Sequence, residues 1–198
     1  MADEHAHEHE HDDEHEHIEE DERAEVELEA ARRFALSQIR QYGDPALRLR
    51  AHEVETVDDD VRRLVERMTT LMHQAQGVGL AATQVGVLRR IFVFEPDDEG
   101  PRAIVNPVVA ERDDATAIDD EGCLSLQGVR VPVERSTRIV LEGKDENGDE
   151  VRHELDEYGS RIALHELDHL DGVLIVDRTD DEHRKQALAT LRPRAVLR

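Results

Sequence analysis

The chain has 198 residues, a formal net charge of −23, no Trp and only 3% aromatic residues. That length suffices for one domain with its own core. An acidic, Trp-free chain offers neither the basic face that duplex DNA needs nor a stacking platform for single strands, so no DNA partner is expected. No apolar run reaches the ~18 residues of a membrane span, so no membrane partner is expected. The N-terminus lacks an apolar signal segment, and the one cysteine, Cys123, cannot form an internal disulfide. Both observations point to a reducing cytoplasm.

The charge is uneven. Residues 1–30 carry −14 and the remainder −9. In the first segment His5, His7, His9, His11, His15 and His17 alternate with acids. Such a stretch has no apolar surface to offset its ordering entropy. Residues 1–24 are therefore expected as a disordered acidic tail and 25–198 as a single catalytic domain. The tail reads either as a solvated extension or as a weak metal-capturing tract.

From Glu25 to Gln41 the pattern is helical, with Val26, Leu28, Ala31, Phe34, Ala35 and Ile39 as packing positions and Gly43-Asp44-Pro45 as the stop. Asp58 is placed to cap a stronger helix, in which Val61, Leu64, Val65, Met68, Leu71 and Met72 share one face. The period then changes. Ile91–Phe94, Ala103–Val105 and Val129–Val133 are expected as strands. Thr137–Leu141 and Glu150–Glu154 flank Asp145-Glu146-Asn147-Gly148, a hairpin signal. Tyr158–Leu170 reads as a helix ended by Asp171-Gly172, Leu174–Val176 as a strand, and Asp181–Leu191 as a last helix. Strands in runs with helices at the ends make this an α+β fold.

His165-Glu166-Leu167-Asp168-His169 is an H-E-x-x-H motif within a predicted helix. Residues four apart share a helix face, so both imidazoles can bind one metal ion, with Glu166 beside them. A catalytic site needs a third ligand. No His follows closely, and His183 lies beyond the expected strand. Cys123, in Glu121-Gly122-Cys123-Leu124-Ser125, is a soft candidate, although a lone cysteine is often just a small buried hydrophobe. The segment Gln76-Gly77-Val78-Gly79-Leu80-Ala81-Ala82-Thr83-Gln84 is either a turn-rich loop or a backbone built for close approach to a substrate.

Taken in order, Gly77–Gln84, Glu121–Ser125 and His165–His169 resemble the motifs of the peptide deformylase family, with similarity running from about Gly43 to about Arg178. The resemblance implies antiparallel β-sheets wrapped around a central metal-binding helix, with flanking helices. It implies a metal held by Cys123, His165 and His169, usually Fe(2+), with Zn(2+), Ni(2+) or Co(2+) found in purified members. It implies Glu166 as base, and Gln84 with the Leu124 N–H as donors to a developing oxyanion. Val78, Gly79, Arg130, Tyr158, Arg161 and Ile162 match substrate-binding positions, and Glu121 with Arg135 a structural ion pair. The implied partners are N-formyl-methionyl nascent peptides, with transient ribosome contact. Thr83, Gln127 and Leu164 depart from the residues common at their positions. A zincin-like endopeptidase would share His165, Glu166 and His169 but take His or Glu as third ligand. A non-catalytic metal-binding or ribosome-associated module would need neither Glu166 nor Gln84.

Overall fold

The run Ile91–Phe94 is buried on both sides, and the molecule is layered around it. A computed structural model describes residues 23–192. The expected tail therefore lies outside the described residues, apart from 23 and 24, which begin a helix. The elements are α1 (23–38), α2 (Asp59–Gln74), β1 (Gly79–Ala81), β2 (Ile91–Phe94), β3 (Arg102–Arg112), β4 (Thr116–Gly122), β5 (Arg130–Ser136), β6 (Arg138–Lys144), β7 (Glu150–Asp156), α3 (Glu157–Leu170) and α4 (Asp181–Leu191). Strands β1-β2-β3-β6-β7 form one antiparallel sheet in that order, and β4-β5 a second, smaller one. This is the α+β arrangement expected, with α3 packed between the two sheets against β1, β2, β5, β6 and β7.

Alternation along β2 explains its continuous apolar run. Ile91 and Val93 face a core shared with α2, while Phe92 and Phe94 face a core shared with α3. A third core joins the small sheet to Leu174–Val176 and α4. Asp58 caps α2 as expected, accepting from the N–H groups of Asp60 and Val61. The buried face of α2 is Val61, Val65, Met68, Leu71 and Met72, with Leu64 partly buried.

Three expectations need correcting. Of the packing positions expected over Glu25–Gln41 only Ala35 of α1 and Ile39 just beyond its end are buried, whereas Val26, Leu28 and Phe34 are exposed. At 100° per residue, Val26 and Phe34 point away from the Ala35–Ile39 face. Leu28 shares that face but lies two turns nearer the N-terminus, beyond the core. Second, Leu174–Val176 forms no strand; Ile175–Asp177 is a 3-10 turn, closed when the Asp177 carboxylate accepts from the Leu174 N–H at 2.9 Å. Third, β3 runs on from Val105 to Arg112 through two register shifts. The first contains Asn106, at φ 53, and Pro107. A bulge tolerates both a left-handed residue and a missing N–H. The Asn106 side chain pins the preceding loop through both the N–H and the carbonyl of Val54.

Candidate active site

α3 begins beside β7 and carries His165, Glu166 and His169 on the side facing the turn after β4. That turn presents Cys123, and the ligating atoms of Cys123, His165 and His169 all lie within 4.8 Å of one another. The Cys123 Sγ to His169 Nε2 distance is 3.2 Å. Donors at 2.0–2.3 Å from one tetrahedral ion would be roughly 3.3–3.8 Å apart, so the three fit a mononuclear metal with one coordination position left open. Two buried atoms here, Glu166 Oε2 and His169 Nδ1, have no hydrogen-bond partner.

Glu121, at the end of β4, orients the first ligand. One of its carboxylate oxygens takes His165 Nδ1 at 2.9 Å and Arg135 Nη2 at 3.0 Å. The other accepts from Arg135 Nε and Arg161 Nη1, both at 2.9 Å. With Nδ1–H donating to Glu121, the His165 Nε2 lone pair is free for a metal. Arg135 continues to Asp168 at 2.6 Å, and Arg178 closes on the same carboxylate at 2.6 and 3.0 Å. Burial would raise the Glu121 carboxyl, but hydrogen bonds from His165 and Arg135 outweigh it and hold the pKa at about 2. Burial would likewise depress His165, yet the Cys123 sulfur and Glu121 hold it well above its ordinary value. His169 is pushed well below, by burial and then by His165 and Arg135. For Glu166, burial raises the carboxyl to about 7, Glu121 adding to the rise and His165 opposing it.

The 3-10 turn Ala82–Val85 positions Gln84 against the thiol. Gln84 Oε1 accepts from the Ala81 N–H at 2.8 Å, which turns Nε2 towards Ser125 Oγ at 3.1 Å and Cys123 Sγ at 3.7 Å. A cavity of about 440 Å³ opens over these groups. It is lined by Gln84, Cys123, Leu124, His165 and Glu166, and by every expected substrate-binding residue: Val78, Gly79, Arg130, Tyr158, Arg161 and Ile162. Arg161 is committed to Glu121 and to the carbonyls of Val133 and Ala117, so its guanidinium braces the wall. His183 is remote, an exposed residue in the first turn of α4 bonded to Asp180.

Two of the three departures have structural uses. Thr83 is fully buried, and its hydroxyl donates to the carbonyl of His169 at 3.2 Å, tying the Ala82–Val85 turn to α3. Leu164 is buried in the core between α3 and the large sheet. Gln127 lies at the cavity wall, exposed. Sequence reasoning missed Arg32 and Leu36 of α1, which also line the cavity. It missed Ser125 as the partner of Gln84, although Ser125 stands within the cysteine motif. It also missed the Asp168–Arg178 extension of the ion-pair chain. A larger hollow of about 970 Å³ lies near Asp168 and Arg90, away from the thiol; its buried Arg135 is already paired with Glu121 and Asp168.

Three metal-donor atoms, a buried carboxylate and a side-chain amide on one cavity wall are the equipment of a metal-dependent hydrolase. Comparison with known proteins narrows that class. The pattern of the Polypeptide deformylase family matches residues 36–185. A Peptide deformylase of Thermotoga sp. (strain RQ2) is 44% identical over 147 residues, 74% of this chain and 89% of that protein. The crystal structure of peptide deformylase from Thermotoga maritima superposes with a TM-score of 0.70 at 44% identity, covering 72% of this chain and 96% of that one. The enzyme from Ehrlichia chaffeensis in complex with actinonin gives 0.76 at 33% identity, covering 81% and 98%. The chain belongs to the polypeptide deformylase family.

Proposed function

We propose that this chain hydrolyses the N-formyl group from the N-terminal methionine of newly synthesised proteins, releasing formate. The observation that carries the reading is the convergence of Cys123, His165 and His169 beside Glu166 in a chain of this family. A cation bound by the three donors would polarise the formyl carbonyl and lower the pKa of water from about 15.7 towards ~7.

The rest falls to the protein. Glu166 takes the proton from water as its oxygen attacks the formyl carbon, then delivers that proton to the amine as the C–N bond breaks. Its carboxyl is buried with one oxygen unpartnered, which places it to take a proton and return it. Gln84 Nε2 and the Leu124 N–H hold the charge that develops on the formyl oxygen; one such donor is worth about 2.7–4 kcal/mol. Val78, Tyr158 and Ile162, with the stem of Arg161, enclose the methionine side chain. Gly79 and Arg130 meet the peptide backbone. β1 is an edge strand of the large sheet, so an extended peptide can pair along it.

A thiolate among the donors would favour a soft, oxidation-sensitive centre; the choice of Fe(2+) as resident cation, with Zn(2+), Ni(2+) or Co(2+) able to replace it, rests on the resemblance to the family and not on the donor set. A nascent-chain substrate places the enzyme in the cytoplasm with transient ribosome contact. No helix of the described residues is long and apolar enough to cross a membrane.

Anaerobically purified protein should release formate and free amine in equal amounts from formyl-Met-Ala-Ser and leave casein intact. Casein cleavage without formate release would overturn the assignment in favour of an endopeptidase. Metal analysis of the same sample identifies the cation.

A further inference from the structure

We propose that α1 forms a further wall of the substrate cavity, and that Arg32 on it favours peptides with an acidic side chain at the first or second residue after methionine. This rests on the deformylase reading. Arg32 and Leu36 stand one helical turn apart, and both line the 440 Å³ cavity with Gly77, Leu124 and Arg130. Most of α1 precedes residue 36, where the match to the family begins. Arg32 therefore lies outside the stretch matched to the family.

The wall is held in place at its C-terminal end. Ala35 and Ile39 are buried in the α2 core. The segment that follows is tied to both oxyanion loops. The Arg40 N–H donates to the Gln84 carbonyl at 2.7 Å, and the Tyr42 N–H to the Ser125 carbonyl at 2.8 Å. Gln41 Nε2 donates to the Leu124 carbonyl at 3.2 Å.

The guanidinium of Arg32 is underused. Its Nε is buried without a hydrogen-bond partner. Among the described residues its one ion pair is with exposed Glu29, at 3.8 Å, a geometry worth little. Arg130 on the same cavity gives one N–H to the Asp120 carbonyl and has no carboxylate partner among the described residues. With Arg161 paired to Glu121, the lining leaves the guanidinium groups of Arg32 and Arg130 against the carboxyls of Asp120 and Glu166. In a chain of net charge −23 that even balance makes the cavity less acidic than the chain as a whole. An extended peptide advances about 3.3 Å per residue, which carries the residues after methionine out along this wall.

The test uses metal-loaded full-length chain and C-terminally amidated formyl-Met-Ala-Asp and formyl-Met-Ala-Lys, with their Met-Asp-Ala and Met-Lys-Ala counterparts. Amidation removes the terminal carboxylate as a competing ligand. At low salt the wild type should prefer Asp to Lys in kcat/KM by about five-fold at one of the two positions, the scale of a partly exposed charge pair. Arg32→Gln should bring the ratio close to one through KM, and Arg32→Glu should invert it. Arg33→Gln, on the exposed side of the same helix, should keep the wild-type ratio. Equal Asp-to-Lys ratios in wild type and Arg32→Gln would overturn the proposal while leaving the deformylase reading intact. Absence of formate release from every peptide by the wild type would overturn both.

Discussion

Glu166 shows how burial and placement combine in one side chain. It is 3% exposed, lies beside a metal ligand, and has one carboxylate oxygen without a partner. An unpartnered buried oxygen is costly in a structural residue, but a proton acceptor must keep one free. Glu166→Gln preserves shape and hydrogen-bonding capacity but cannot take a proton. It should lower kcat by roughly 10²–10⁴-fold with metal content unchanged, checked by formate release and elemental analysis on one sample. Near-normal turnover would remove Glu166 as the base, and a metal-free variant would make it a determinant of the ligand shell. Glu121 differs in kind. Its two oxygens meet four nitrogens, so it is spent on holding His165 and Arg135. Two acids beside one set of metal-donor atoms thus differ by their neighbours alone, Glu121 held by four nitrogens and Glu166 left with one oxygen unpartnered.

At the scale of elements, the site depends on how closely β1 passes α3. A Cβ added at Gly79 would lie 2.4 Å from Glu166 Oε1 and 2.9 Å from its Cδ. Gly79→Ala must therefore displace Glu166, the proposed base. Misplacement on the order of 1 Å can cost about 10²-fold in rate, so we expect a loss of that size in kcat, with the thiolate-to-metal absorption of the cobalt form retained. Gly77→Ala should be milder, because its Cβ meets the flexible end of Leu124 at 2.7 Å. Equal losses in the two variants would show that the Gly79–Glu166 approach is not what matters. That approach could not be read from the sequence, where 76–84 was open to reading as a loop or a substrate-facing backbone. The helices α2, α3 and α4 and the β6–β7 hairpin were legible because caps, period and turn residues are local. Strand β4 was not, since six of its seven residues are exposed and show no apolar alternation. The metal ligands were legible from spacing and motif order. Arg32 and Leu36 were not, because only the docking of α1 brings them to the cavity.

At the scale of the whole molecule, one carboxylate gathers contacts from the N-terminal and C-terminal parts of the domain, beside the Ala51–Leu170 backbone hydrogen bond and the packing of Leu47 on Leu174–Val176. Asp177, in the turn Ile175–Asp177, pairs with Arg48 of the 3-10 turn Pro45–Arg48, accepts from the Leu174 N–H and has Arg184 of α4 at 3.7 Å. The contact with Arg48 spans 129 residues, so it orders a long loop of chain that no local interaction would close. Burial alone would raise the Asp177 carboxyl; the hydrogen bonds from Arg48 and Leu174 outweigh it and lower the pKa below 3.8. A group whose pKa is depressed in the folded state binds its proton more readily when unfolded. Its stabilisation is therefore complete above the unfolded value near 3.8 and is lost as pH falls through the lower folded value. Asp177→Asn cannot titrate and should lose roughly 1 kcal/mol at neutral pH, the scale of a partly exposed charged hydrogen bond. The deficit relative to wild type should begin to shrink at about pH 4, where Asp177 of the unfolded chain takes up its proton, and should be lost as pH falls through the lower folded value. Urea unfolding of chelator-treated wild type and variant from pH 7 down to pH 2.5 measures that difference free of metal loss. A deficit that stays constant across the whole range would show that the charge on Asp177 does not join the two ends of the domain.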